Sequence, residues 1–119
     1  MIQARAGSII GGIVLTVAAF PTLAAWHCSI HPPKGATDAQ LMSMAKLSKP
    51  KAERIALEKI GHRAKISSAE IEAEQECLIW SFDLKVPGHA GVQEVNIDAG
   101  NGNVLDVHHE TASQESSEG

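Results

Sequence analysis

Between Cys77 and Val86 the chain places Leu78, Trp80, Phe82, Leu84 and Val86 at every second position, with Cys77, Ile79, Ser81, Asp83 and Lys85 between them. Successive side chains of an extended backbone point to opposite faces, so this alternation lines large apolar groups along one side of a strand. Burying each such side chain is worth about 1.5 to 3 kcal/mol, which commits the strand to lying under a covering layer. The rest of the chain must supply that cover and the neighbouring strands.

Both can be found in the sequence. Ala69, Ile71 and Ala73 alternate with Glu70, Glu72 and Glu74, a strand with one wet face, and Gln75-Glu76 makes a plausible turn into the apolar strand. Pro87-Gly88-His89-Ala90-Gly91 makes the next turn. From Val92 to Leu105, Val95 and Ile97 alternate with polar residues, and Asn101-Gly102 tolerates the positive backbone angles of a primed hairpin turn. A strand, a tight turn and a second short strand are therefore expected there, with Asp98, Ala99, Gly102 and Val104 as the turn and fold motif. Upstream, Thr37 with Gln40 resembles a capping box ahead of Leu41, Met44 and Ala45, which predicts a short helix from about Asp38 to Lys46. Ser48 then caps a longer helix over Lys49 to Ile60, with Pro50 in its first turn, a stripe of Ala52, Ile55, Ala56 and Ile60, and Gly61 at its end. The expected fold class is α+β: one main helix, plus a short preceding helix, packed on a small antiparallel sheet of three to four strands.

The ends differ in character. Arg5 is the only charge between Met1 and Ala25, an apolar run spans Ile9 to Phe20, and Pro21-Thr22-Leu23-Ala24-Ala25 supplies a helix breaker and small residues. Residues 1–24 read as a secretory signal peptide cleaved after Ala24 or Ala25, the alternative being an uncleaved membrane anchor. Residues 25–36, with Pro32-Pro33 and Gly35, read as an extended strap; residues 37–107 form the domain; residues 108–119 read as a disordered acidic tail. Export to a periplasm or the outside would oxidise Cys28 and Cys77, and a bridge across so long a loop is worth about 4 kcal/mol in the chain-entropy model. Two free thiols, or pairing with another chain, are the alternatives.

The order of elements and the residues together resemble the PepSY domain, a small exported module named for its occurrence in propeptides of thermolysin-type metallopeptidases. The likeness covers about Leu47 to Leu105. It rests on the helix from Ser48 through Ala56-Leu57, on Ile79-Trp80-Ser81-Phe82-Asp83-Leu84, and on Glu94-Val95-Asn96-Ile97-Asp98-Ala99 followed by Gly102-Asn103-Val104-Leu105. Gly100-Asn101 and Trp80 depart from the family pattern while keeping a turn and an aromatic core position. The resemblance implies a helix packed on a small antiparallel sheet, no catalytic machinery, and a role in binding a protein and modulating or inhibiting a peptidase, an exported metallopeptidase in particular.

Other function classes find little in the chain. Aromatic content of 3% without Tyr and a net charge of -4 leave no stacking platform and no basic field for nucleic acid. The basic residues between Lys46 and Lys65 are interrupted by Glu53 and Glu58. Neither a G-x-S-x-G elbow nor an H-E-x-x-H, a C-x-x-C or a phosphate loop is present, so no catalytic residue and no cofactor is assigned. Asp98, Asn101 and Asn103 do not follow the ligand alternation of a calcium loop. Metal chemistry is confined to histidines near the two ends. A mature chain starting Ala25-Trp26-His27 could chelate copper(II) or nickel(II) through its amine, backbone nitrogens and imidazole, with His31 and Cys28 nearby, and His108-His109-Glu110 offers a second set. A structural or sensory module held at the membrane by an uncleaved N-terminus is the remaining expectation. The surfaces expected to meet a partner are the strap from Trp26 to Gly35 and the sheet face carrying Glu70, Glu72 and Glu74.

Overall fold

A computed structural model describes residues 25–111. The expected signal peptide, residues 1–24, lies outside the described residues, as does most of the expected tail. The described chain is α+β, with α1 (Asp38–Met44), α2 (Lys49–Ile60), β1 (Lys65–Glu74), β2 (Cys77–Lys85), β3 (Val92–Asp98) and β4 (Val104–Glu110). The strands form one antiparallel sheet in the order β1-β2-β3-β4, so each pairs with its sequence neighbour.

Local chemistry sets the helix boundaries. Thr37 and Gln40 form the capping box, each side chain accepting from the other's backbone N–H. The helix stops at Met44, two residues short of the expected end, because Lys46 and Leu47 instead donate their N–H groups to Ala99 O at 3.0 and 2.8 Å. Ser48 caps α2 through Lys51 N, and Gly61 closes it at a φ of 136°.

Both helices cover the same side of the sheet. Leu41 of α1 and Ala52 and Ala56 of α2 join Leu78, Trp80, Phe82, Leu84, Val95, Ile97 and Ala99 in the core. Helix α1 packs on β1, and α2 on β2 and β3, so the cover is shared between two helices and does not rest on one alone. Small residues on α2 let its backbone approach the aromatic pair Trp80 and Phe82, whose rings stack 6.2 Å apart. Trp80 Nε1 donates to Leu47 O at 2.9 Å, fixing the connection between the helices to the central strand.

Two bulges decide which residues face the helices. The β1–β2 register shifts between Ile66 and Ser68, leaving Ser67 unmatched, and the β3–β4 register shifts between Asn96 and Ile97, leaving Leu105 unmatched. The extra residue brings both Val104 and Val107 onto the core, although three positions separate them. It also sends Asp106, His108 and Glu110 to the opposite face. Strand β4 thus runs through the first three residues of the expected tail, with Glu110 paired to Val92.

The two tight connections differ from each other. Gln75 and Glu76, at φ of 51° and 67°, make the two-residue primed turn between Glu74 and Cys77. The expected primed turn at Asn101-Gly102 is instead a longer loop: Gly102 alone has positive φ, its N–H reaches Asp98 O, and Asp98 N–H closes on Asn103 O at 2.8 Å. Asp98 Oδ1 accepts from Gly100 N and Asn101 N, so its side chain organises the loop that sequence assigned to Asn-Gly.

The strap is extended but anchored. Cys28 is bridged to Cys77 with Cα atoms 5.8 Å apart, Ile30 O accepts from Leu78 N, and Ser29 binds Asp98 through backbone and hydroxyl. A Cβ on Gly100 would overlap Ser29 Oγ, so only glycine admits the strap at this point.

Candidate functional site: the acidic sheet face

Alternation places one residue in two on the face away from the helices. Along β1 that face receives Glu70, Glu72 and Glu74; along β2, Ser81 and Asp83; along β3, Glu94 and Asn96; along β4, Asp106, His108 and Glu110. The ladder Glu70, Ser81, Asn96, Asp106 and the ladder Asp83, Glu94, His108 run across the strands as register partners. Lys65 opposite Lys85 ends the face at the far side. The end near the strap is closed by apolar groups: Cys77 and Ile79 are buried there without belonging to the helix-side core, and Val92 is buried at the opposite end beside Glu110.

Carboxylates this close cannot all ionise at ordinary pH without mutual repulsion. Partial burial, a hydrogen bond with Glu70 and the charges of Glu70, Glu74 and Glu94 push Glu72 up to about 7. His108 is the counterweight. Burial lowers its pKa, but the hydrogen bond to Asp106, the charge of Glu94 and the hydrogen bond to Glu110 outweigh that and raise it. Its Nδ1 lies 2.7 Å from Asp106 Oδ2, and its Nε2 lies 3.6 Å from Glu94 Oε1 and 3.4 Å from Glu110 Oε2. Glu72, Glu74, Ser81, Glu94, His108 and Glu110 line a cavity of about 350 Å³ on this face.

Among the described residues, Glu94, His108 and Glu110 are the one set of three or more His, Cys, Asp or Glu side chains whose ligand atoms converge, all within 4.8 Å of one another. The other histidines singled out in the sequence stand apart from it. His27 borders Asn103, Val104 and Leu105 at the start of β4, His31 Nδ1 lies 2.9 Å from Glu76 O, and His109, on the helix side of β4, lies 3.3 Å from Gln93 Nε2. The bridge to Cys77 takes the Cys28 thiolate out of any ligand set. Sequence reasoning grouped His108, His109 and Glu110; in the strand, i and i+2 share a face, so His108 and Glu110 stay together while His109 turns to the helix side.

Asp98, Ala99, Gly102 and Val104 occupy the expected turn and serve the fold. Asp98 is wholly buried, Ala99 bridges Leu78 to the helix connection through its backbone, a Cβ on Gly102 would press on Ile55 at 3.1 Å, and Val104 packs on the core. Burial raises the pKa of Asp98, but hydrogen bonds from Ser29, Gly100 and Asn101 outweigh it and hold the carboxyl below its usual value. Among the described residues no helix is long and apolar enough to cross a membrane. Comparison of the chain with protein-family models, with curated proteins and with solved structures finds no match in any of the three.

Proposed function

We propose that this chain is a non-catalytic, exported module of the PepSY type that binds a protein partner, an exported peptidase, and modulates its activity through the sheet face opposite the helices. One observation carries the reading: all four strands contribute acidic or hydrogen-bonding side chains to that face, while both helices cover the other. A surface of one charge sign steers a partner of the opposite sign and gives salt-dependent association. The four-stranded antiparallel sheet under a helix supports the PepSY resemblance, and the Cys28–Cys77 bridge supports a periplasmic or secreted location. In this reading the signal peptide directs export, and the strap is a brace that keeps the sheet end closed.

The test is to add the purified protein to exported metallopeptidases from the same source and to measure binding and turnover together. Saturable binding that weakens with added salt and changes the peptidase rate is expected. Absence of both binding and a rate change contradicts the proposal.

A further inference from the structure

His108 gathers three carboxylates around its two ring nitrogens. With Nδ1–H donated to Asp106, the neutral imidazole turns the lone pair of Nε2 toward two carboxylate oxygens that are themselves acceptors. A proton on Nε2 joins the three groups by donating to the carboxylates, and a metal cation can take that proton's place among them. Beside them Asn96, 1% exposed, donates Nδ2 to Glu94 Oε1 at 3.1 Å, and its Oδ1 is the one buried side-chain polar atom among the described residues without a partner. A buried acceptor in that state costs about 1 to 3 kcal/mol, so a donor at the edge of the cluster would relieve it.

We propose that Glu94 Oε1, His108 Nε2 and Glu110 Oε2 bind a divalent transition-metal ion of the zinc type. One imidazole with two carboxylates is a donor set that suits Zn²⁺ and neutralises its charge. Bonds of about 2.0 to 2.1 Å in a tetrahedral site put ligand atoms roughly 3.3 Å apart. The observed 3.4 and 3.6 Å from Nε2 to the two oxygens already approach that spacing. Glu94 and His108 are register partners on β3 and β4, and Glu110 follows two positions along the same face, so the sheet ladder preorganises the ligands. Asp106 is the positioning residue: its bond to Nδ1 fixes the tautomer that leaves Nε2 free to ligate. Three protein ligands leave a fourth position for water, and a water held on the ion supplies the donor that Asn96 Oδ1 lacks. The site is independent of any peptidase.

Calorimetric titration of the chelator-stripped protein with Zn²⁺ near neutral pH tests this, with His108→Gln, Glu94→Gln, Asp106→Asn and His109→Gln alongside. His108 is solvent-exposed and its replacement leaves the core intact; Glu94→Gln is the second route should that variant misfold by near-ultraviolet circular dichroism. Binding of one equivalent with Kd under about 100 µM is expected, weakened on the order of 100-fold by His108→Gln or Glu94→Gln and about tenfold by Asp106→Asn. His109→Gln should stay within about threefold of the parent. Nitrogen NMR of the imidazole should show Nε2 shifting with zinc while Nδ1 keeps its proton. Weaker binding by the parent, equal losses in His108→Gln and His109→Gln, or an Nε2 that stays protonated and unmoved by zinc overturns the proposal.

Discussion

Ser29 donates its backbone N–H to Asp98 Oδ2 at 2.8 Å and its hydroxyl to Asp98 Oδ1 at 2.6 Å, across 69 residues of sequence. The same carboxylate takes Gly100 N and Asn101 N, so one buried charge ties the strap to the β3–β4 loop. Charge-assisted bonds of this kind contribute about 1.5 to 3 kcal/mol each, with strong overlap when they share an acceptor. Asp98→Asn retains the shape but presents an N–H₂ to donors, and should cost about 2 to 4 kcal/mol in urea denaturation.

Asp98 also sets the behaviour in acid. Its folded pKa lies below the unfolded value, so the stability it contributes is fully present above the unfolded pKa and is lost as pH falls through the folded one. Below about pH 4 the parent should lose stability more steeply than Asp98→Asn, as measured by urea midpoints across the acid range.

Glu72 has the opposite sign. A carboxyl raised from 4.5 to about 7 on folding contributes stability that is complete below the unfolded pKa and is lost as pH rises through about 7. The groups facing it are Glu70 and Glu74 of its own strand and Glu94 of β3, with His108 and Glu110 of β4 lining the same cavity. In metal-free protein, Glu72→Gln should flatten the decline in stability between about pH 5 and 7.5, and carbon NMR of the Glu72 carboxyl should titrate near neutrality.

The bridge from Cys28 to Cys77 closes a separation of 49 residues. In the chain-entropy model such a loop is worth about 4 kcal/mol, and Cys28→Ala with Cys77→Ala should remove about 2 to 4 kcal/mol. Limited proteolysis should then cut first within the strap, since Ser29 and Ile30 lose their nearest covalent anchor.

Gln75 and Glu76 hold the left-handed region without being glycine, which costs about 1 to 2 kcal/mol per residue. Glu76→Gly should therefore stabilise the fold by about 0.5 to 1 kcal/mol once the entropy of glycine is counted, read from the urea midpoint.

The alternation in β2 and the caps on both helices were legible because they depend on neighbours in sequence. Thr37 with Gln40, and Ser48 with Pro50, marked the helix starts, and Leu78, Trp80, Phe82 and Leu84 marked the buried face. What the sequence did not display is set by register. One unmatched residue at Leu105 turns Val107 inward and His108 outward, and no local pattern announces a bulge. Asn101-Gly102 suggested a primed turn because the dipeptide favours it, but the Asp98 carboxylate organises a longer loop. The Glu94–His108–Glu110 cluster depends on the same register, whereas strand alternation alone separates His108 from His109.

The acidic sheet face is the surface through which partner binding is expected to run. The affinity of the protein for an exported peptidase it retains should be measured by surface plasmon resonance for the parent and for Glu70→Gln, Glu72→Gln and Glu74→Gln combined, at low and physiological salt. The expected result is a loss of at least about tenfold on neutralisation, together with a shallower salt dependence. Unchanged affinity with an unchanged salt dependence would place the partner elsewhere on the molecule and contradict the account.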